Sequence, residues 1–500
     1  MRGRLRLVSP GACAAFGAIV LLGAQNGGFF ADSWGWATLP LLLVVAGVLF
    51  TRDAVVTRRE ALWVGGFAML TAWTALSALW APAAGPPVTE AGRALLYTAA
   101  VAAIVVLGAR ERLPYAVLAA AFVLCAWGLA DKVHGGPARI EGPIGYTNGL
   151  GLVASTGILL AVGLRRPPLL ATLVVFVPAL AFTESRGAGV ALAAGLGVLA
   201  ALALRSRPRL LLVLGVAAAA VVALVLAFAG QGHAGMTGPS RLGSLSGNGR
   251  GDYWRTALAE ARAHPLLGGG AGTWGRWWLA RRPDANGALD AHELYLETLA
   301  ELGAIGLAIV VATLALPLLS LRRALRHEWA PACAAAFVAL LVHAALDWDW
   351  ELPAVSLCGL FCGTALLADG SPVVVGGRAR VAACAAAVAA TAAAFVLQVG
   401  NSAERAAETE LDAGRLTAAL RDARRAERWQ PWATEPRLLL GEAQLAGGDV
   451  ETAARSFRAV LRRDPGDANA WYQLALATGS AGARARALRL DPHGAASFPR

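Results

Sequence analysis

The chain has 500 residues, of which 57% are hydrophobic and only 15% charged, and its formal net charge at pH 7 is +11. A composition this apolar places the chain among polytopic membrane proteins and excludes an ordinary water-soluble domain. The excess positive charge lies mainly in short connections between apolar segments. It therefore indicates membrane topology, and no nucleic-acid partner is expected.

Apolar segments follow one another along most of the chain. A membrane-spanning helix needs about 20 mainly apolar residues, and thirteen segments qualify, although several are short. They predict an all-α fold, a polytopic transmembrane helical bundle of about 12–13 spans. The first segment follows three arginines, as in a signal peptide, but further spans follow and no small-residue cleavage site is visible, so we interpret it as an uncleaved helix. The segments centre on 10–24, 36–50, 61–80, 93–109, 114–130, 146–164, 168–183, 187–204, 209–229, 293–320, 330–346, 352–368 and 381–399.

Basic residues predict the orientation of these spans. Eighteen arginines lie at alternate span ends that would share one side of the membrane, whereas the opposite short loops hold little beyond Lys132, Arg139 and Arg186. The positive-inside bias therefore places the N-terminus in the cytoplasm of a cell whose plasma or inner membrane the protein spans. With thirteen spans, the long loop 230–291 and the C-terminus are extracytoplasmic.

Polar groups are expensive at membrane depth, so their placement at span ends is informative. Five polar stretches are predicted to meet on the extracytoplasmic side, and none of comparable size lies opposite. This convergence predicts a functional site at that interface. The stretches are 141–148, 184–187, the loop 230–291, 292–293 and 347–351.

Three residues in these stretches have side chains suited to chemistry. Arg186 lies in a very short turn, where it either extends to lipid headgroups or binds phosphate bidentately. Arg250 opens a helix-like stretch, where it is either a solvated charge or a phosphate ligand in competition with Arg255. His292 begins the span after the loop, as a polar cap or as a general base, because neutral imidazole accepts a proton near pH 7.

Two further patterns bear on cofactors. The six cysteines all lie inside predicted spans, without the spacing of a disulfide framework or a metal site. The run Gly268–Gly272 lacks the lysine and the preceding strand of a nucleotide-binding loop, so it predicts a turn with close backbone approach. We therefore expect neither a metal nor another cofactor.

The chain changes character near residue 400. Residues 1–400 are predicted to form the membrane domain, with a catalytic extracytoplasmic loop at about 230–292, and residues 401–500 to form a soluble helical repeat domain. Pro431 and Pro465 are 34 residues apart, and Leu440 and Leu474 repeat at the same offset. A helix–turn–helix unit of this length is typical of tetratricopeptide repeats, with an ordinary helical bundle as the alternative. Such repeats offer a concave surface, so a protein partner of residues 401–500 is possible.

The ordered set of motifs in residues 10–370 resembles the O-antigen ligase and polymerase superfamily of bacterial membrane glycosyltransferases, some of whose members carry a repeat tail. Each motif alone is weak, but their order around one long outer loop is fairly specific. One departure is Glu293, where family members often have Asn. The motifs are Tyr146-Thr-Asn148-Gly-Leu-Gly, Thr183-Glu-Ser-Arg186-Gly-Ala-Gly, Arg250-Gly-Asp-Tyr-Trp254, His264-Pro-Leu-Leu-Gly-Gly-Gly, Ala291-His292-Glu-Leu-Tyr295, and the segment from His343 to Pro353.

The resemblance implies a metal-independent reaction. The donor would be a glycan on a polyprenyl pyrophosphate, Arg186 and Arg250 would hold the pyrophosphate as a leaving group, and His292 would take the proton from an acceptor hydroxyl. The acceptor, a glycan, glycolipid or protein, stays open, as does the choice between ligase and polymerase. Membrane lipids are expected neighbours. Candidate substrate-binding residues are Tyr146, Asn148, Trp254, Arg255, Glu293, Tyr295 and Asp347.

Two other functions remain as alternatives. A transporter or flippase for a lipid-linked glycan or small anion would suit arginines and many spans, but it would need polar groups along a mid-membrane path or an internal repeat of the spans. The sequence shows neither. A scaffold would act through the repeat tail, with a catalytically idle membrane body.

Overall fold

A computed structural model describes residues 9–108, 110–204 and 249–497. In this part of the chain, eight helices are long and apolar enough to cross a membrane, and four shorter apolar helices accompany them. The predicted all-α, multi-pass fold is confirmed. Each predicted span coincides with a helix or a pair of helices, except 209–229, which lies outside the described residues.

The helices of the membrane domain have the following bounds in the described residues. They are α1 Pro10–Gly23, α2 Ala31–Thr51, α3 Arg58–Leu76, α4 Gly85–Leu107, α5 Leu113–Val133, α6 Thr147–Leu164, α7 Pro167–Leu170, α8 Leu173–Thr183, α9 Arg186–Leu204, α10 Arg250–Ala263, α11 Trp274–Arg281, α12 Leu294–Ala324, α13 Ala330–Ala344 and α14 Pro353–Ala365.

The bundle has two chemically different ends. At one end, strands β1 Ala54–Thr57 and β2 Pro372–Val375 pair antiparallel, with Ala54 opposite Val375. Arginine-rich turns lie at this end and pair with acidic groups, as in the contacts Arg110–Glu60 and Arg326–Asp369. The other end carries α10 and α11, and we call it the loop end.

Small residues allow the central helices to approach closely. A Cβ at Gly157 of α6 would lie 2.4 Å from the Phe176 ring, and one at Gly163 would lie 2.6 Å from the Cβ of Ala332. Close backbone approach of this kind is a common basis of helix association in membranes. The helix α6 therefore packs tightly against α8 and α13.

The tail continues from the membrane domain without a break. Helix α15, Gly377–Asp412, is one continuous helix through residue 400, the predicted domain boundary. It pairs with α16, Leu416–Trp429, and helical hairpins α17/α18 and α19/α20 follow, around a core that includes Phe457. The bounds of the last four helices are α17 Glu435–Ala446, α18 Val450–Arg463, α19 Ala468–Thr478 and α20 Ala481–Leu490.

Candidate active site

A break in α12 anchors the loop to the membrane domain. Gly303 interrupts this helix with φ +69° and ψ −173°, a conformation that only glycine adopts readily. The exposed backbone groups bond to the loop instead: Gly270 N donates to Glu301 O at 2.8 Å and Ala304 N donates to Pro265 O at 2.9 Å. A Cβ at Gly268 would lie 2.2 Å from the backbone of Glu301. The glycine run is therefore the predicted turn with close backbone approach.

An aromatic cluster then fixes α10 against the start of α12. The Tyr253 ring lies 4.7 Å from the Trp278 ring and 5.1 Å from the ring of His292. Trp274 stacks on Trp278 at 5.7 Å, and both indoles are almost fully buried. This packing places His292 in a rigid aromatic surround at the loop end.

His292 is held by an acidic neighbour two residues before it. Its Nδ1 lies 2.9 Å from Oδ1 of Asp290 and 3.2 Å from the Asp290 carbonyl oxygen. With Nδ1 directed at Asp290, Nε2 would be the ring atom available to a substrate. Burial alone would lower the pKa of His292, but the hydrogen bond and negative charge of Asp290 outweigh it and raise the pKa.

His292 also has an unusual backbone conformation. Its φ of +55° lies in the left-handed region, which costs a non-glycine residue about 1–2 kcal/mol. Such conformations persist where surrounding structure enforces them, and they are concentrated at functional sites. The backbone conformation of His292 is therefore an indication of a functional site that does not depend on its side-chain chemistry.

Asp347 organises the cationic side of the site. Its carboxylate accepts hydrogen bonds from Tyr146 Oη at 2.8 Å, Asn148 Nδ2 at 2.6 Å and Arg250 Nη2 at 2.9 Å. Burial alone would raise the pKa of Asp347, but Arg250 and the two neighbouring imidazoles lower it, so the group is ionised. The network holds the buried Arg250 in one orientation.

A second histidine–aspartate pair lies behind this network. His343 Nδ1 is 2.9 Å from Asp349 Oδ1, and both side chains are fully buried. A Cβ at Gly187 would lie 3.1 Å from His343 Nε2. The backbone of Arg186, the first residue of α9 and the neighbour of Gly187, therefore lies close to the same cluster.

The comparison with known protein families bears directly on this part of the chain. Residues 171–311 match the family model for O-antigen ligase. The match covers α8 to the first half of α12 and so contains Arg186, Arg250 and His292. Residues 410–477 match a tetratricopeptide repeat. No curated protein matches the chain. The resemblance predicted from the sequence is confirmed, and it supports a general role in O-antigen ligase-like glycan transfer at a membrane.

The structure brings together most of the predicted site residues. Glu293 caps α12, because its carboxylate accepts a hydrogen bond from Leu296 N, and burial raises the pKa of Glu293 to about 7. Tyr295 Oη donates to the Leu341 carbonyl at 3.2 Å. Glu293 therefore supplies the N-cap at the position where family members often carry Asn, another good capping residue.

Two predicted residues of α10 differ in placement. Trp254 packs beside the aromatic cluster, and its buried Nε1 has no hydrogen-bond partner among the described residues. Arg255 lies on the exposed side of the helix, where it pairs with Asp252, so the structure does not bring it to the cluster. Of the two arginines in competition for a phosphate role, Arg250 is the one at the site.

Sequence reasoning missed Asp290. An aspartate before a histidine in a polar loop is common, and nothing in the spacing shows that its carboxylate reaches back to the ring. In the turn Asp290-Ala291-His292 this contact accompanies the left-handed backbone conformation of His292. The signal available in the sequence was an acidic residue two positions before the candidate base.

Proposed function

We propose that the protein is an extracytoplasmic glycosyltransferase, which transfers a glycan from a polyprenyl pyrophosphate to an acceptor hydroxyl. The observation that carries the proposal is the His292–Asp290 pair beside an arginine that Asp347 holds at the loop end. It combines a base and a cation at one membrane interface, inside the region that matches O-antigen ligase.

His292 acts as the general base. As the acceptor oxygen bonds to the anomeric carbon, its proton passes to Nε2 of His292, and the bond between that carbon and the pyrophosphate oxygen breaks with its electron pair on the oxygen. Asp290 stabilises the imidazolium that forms, as a carboxylate does beside a catalytic imidazole. A single displacement of this kind inverts the anomeric configuration.

Arg250 and Arg186 stabilise the departing pyrophosphate. A guanidinium carries five N–H donors, so Arg250 can keep its ion pair with Asp347 and still bind a diphosphate oxygen. Pre-oriented donors stabilise developing charge most effectively, because nothing has to reorganise during the reaction. The carboxylate of Asp347 supplies that orientation.

The different chemistry of the two ends of the bundle supports an orientation in the cell. The arginine-rich end, with the β1–β2 pair, faces the cytoplasm, and the loop end with the tail faces outward. A lipid-linked donor in the outer leaflet then presents its pyrophosphate at the level of Arg186 and Arg250. Acceptor glycans, glycolipids or proteins reach the same face from outside.

The test is transfer by purified protein in proteoliposomes that contain a polyprenyl-pyrophosphate-linked glycan. We expect His292→Ala to lower the rate by about 10²–10⁴-fold, the usual contribution of general acid–base catalysis. His264→Ala is the matched control, because His264 is an exposed loop histidine whose ring lies edge-on to the ring of Trp277. Transfer by His292→Ala at the wild-type rate would exclude His292 as the base.

A second pair of variants tests the role of Arg250. Arg250→Lys keeps the charge but loses the planar donor set, so we expect slower transfer and weaker donor binding. Arg255→Lys changes an exposed arginine of the same helix and should leave both unchanged. Equal behaviour of the two variants would contradict the assignment of Arg250.

A further inference from the structure

The turn between α10 and the glycine run exposes apolar side chains. Residues 262–267 are all exposed, and among them Leu266 and Leu267 leave 65% and 43% of their surface uncovered by the protein. The turn belongs to the motif His264-Pro-Leu-Leu, to which the proposed chemistry gives no role. Two neighbouring leucines in contact with water would be unfavourable, so this turn is a candidate contact surface.

The backbone of this turn is bound to α12. The carbonyl oxygens of residues 264–266 all accept backbone hydrogen bonds. Those of Pro265 and Leu266 accept from Ala304 N at 2.9 Å and from Ile305 N at 3.3 Å, directly after the break at Gly303. Carbonyl groups with protein donors are what non-helical backbone requires where water is scarce. The turn therefore lies at the level of Gly303, with its carbonyl groups satisfied by the protein.

Gly303 lies where the apolar part of α12 begins. Residues 304–321 carry no charged side chain, whereas Glu301 precedes this stretch and Arg322 follows it. At 1.5 Å per residue the stretch is about 27 Å long, close to the thickness of a bilayer's hydrocarbon core, about 30 Å. The break in α12 therefore corresponds to the boundary of the hydrocarbon core at the loop end, and the turn bound there lies at the membrane surface.

The end of α3 reaches the same level. Trp73 Nε1 donates to the Leu302 carbonyl at 3.1 Å, one residue before the break. An exposed apolar stripe runs along α3 to this level and slightly beyond it, and it consists of Leu62, Met69, Leu76 and Leu79. The first three are seven residues apart, which is two helical turns, so they share the face that α3 presents to lipid. The exposed leucines of the turn thus lie at the level where this lipid-facing stripe ends.

The composition of the turn fits a bilayer surface. Arg262 is exposed immediately before the two leucines, so a basic group and apolar groups lie within six residues of each other. Interfacial segments combine leucines, which enter the acyl region, with basic side chains, which extend to the headgroup phosphates. A soluble protein partner would have to enter the bilayer to cover leucines at this level. Lipid is therefore the occupant that the position of the turn favours.

We propose that the turn 264–267 inserts Leu266 and Leu267 into the lipid leaflet at the loop end and so anchors the loop to the bilayer surface. Helix α10 ends at Ala263, directly before the turn. The same contact therefore holds the helix that begins with Arg250 close to the lipid. This interaction goes beyond the proposed glycan transfer and does not depend on it.

The test is the reaction of single introduced cysteines with maleimides, in the full-length protein in lipid nanodiscs, with peptide mapping by mass spectrometry to separate them from the native cysteines. Leu289→Cys is the control for water, because Leu289 lies in the loop and is 77% exposed, and Val311→Cys is the control for lipid, because Val311 is 49% exposed in the span of α12. We expect Leu266→Cys to react with a charged maleimide at least about tenfold more slowly than Leu289→Cys, because a charged reagent enters hydrocarbon poorly. An uncharged, lipophilic maleimide should label Leu266→Cys and Val311→Cys readily.

Two results would overturn the anchor. Equal rates of Leu266→Cys and Leu289→Cys with the charged maleimide would place the turn in water. Failure of both reagents at residue 266, while the lipophilic maleimide labels Val311→Cys, would show that protein covers the turn. Neither result bears on glycan transfer, which is measured separately. The expected labelling pattern in a protein without transfer activity would support the anchor and contradict the proposed function.

Discussion

Single residues at this site combine backbone and side-chain requirements. His292 has a left-handed backbone, directs Nδ1 to Asp290 and is surrounded by aromatic rings. Asp347 accepts three side-chain hydrogen bonds and fixes Arg250 in the structure, and its predicted substrate contact stays a prediction. Charge and geometry at the proposed site thus depend on residues beside the proposed base and the proposed phosphate ligands.

Backbone strain at His292 can be measured by comparing two substitutions. His292→Gly and His292→Ala both remove the imidazole, but only glycine adopts φ +55° without strain. We expect the glycine variant to be more stable than the alanine variant by about 1 kcal/mol, because the left-handed penalty exceeds the extra chain entropy of glycine. Thermal unfolding in detergent measures this, and an alanine variant of equal or greater stability would show that the site is not strained.

The pH dependence of transfer tests the Asp290 contact. His292 must be neutral to act as a base, so transfer should rise with pH through a midpoint above 6.5, because Asp290 raises the pKa of His292. The Asp290→Asn variant loses the negative charge, while burial still lowers the pKa of His292. The acid limb of the pH–rate profile should therefore move to lower pH. The plateau should also fall, since the ring is held less firmly. A midpoint that stays in place in Asp290→Asn would refute the pairing.

At the scale of elements, the loop is connected to the membrane domain through a break in a transmembrane helix. The carbonyls of Ala300 and Glu301 accept from the glycine run, and Ala304 N bonds to Pro265. Non-helical backbone near a membrane is tolerated only where its polar groups find protein partners. The break in α12 and the glycine turn therefore depend on each other.

That dependence predicts the effect of Gly303→Ala. A Cβ there would lie 2.2 Å from the Leu266 carbonyl oxygen, and the φ of +69° is itself strained for alanine. We expect a loss of about 2 kcal/mol or more in stability, and slower transfer because the turn that leads to His292 shifts. Gly65→Ala is the matched control, since a Cβ at this helical glycine meets nothing within 4 Å. Equal thermal stability of the two variants would contradict the proposed anchoring.

Some of these elements could be predicted from the sequence and others could not. Apolar runs such as 146–164 predict helices because a bilayer demands them, and Arg250 and His292 stand out because charge is costly at an interface. Asp290 was missed because its contact with His292 depends on the local fold of the turn, which residue spacing does not show. The role of Asp347 was only partly predictable, because it depends on Tyr146 and Arg250, which lie 201 and 97 residues away in the chain.

At the scale of the whole molecule, the tail is docked on the loop. Arg276 of α11 makes a two-pronged ion pair with Asp464, and Arg282 bonds to Asp491 at 2.7 and 2.8 Å. Both aspartates precede the prolines that end repeat helices, so the breaks that mark the repeat in the sequence also form its contacts with the loop. Residues of the tail also line a cavity of about 400 Å³ together with Asp290, which contacts His292, so the repeat tail lies close to the proposed active site.

Removal of these ion pairs should release the tail without unfolding it. Asp464 is almost fully buried, so Asp464→Ala leaves Arg276 without its charge partner, a change that costs about 3–5 kcal/mol when such a pair is buried. In the double variant Asp464→Ala/Asp491→Ala we expect faster hydrogen–deuterium exchange in α11 and α19, unchanged exchange in the β1–β2 region, and weaker acceptor use. Arg415→Ala, which breaks an exposed ion pair within the tail, is the control.

Unchanged exchange in α11 of the double variant would show that docking of the tail does not depend on these aspartates. Normal acceptor use despite a released tail would limit the tail to a role away from the site.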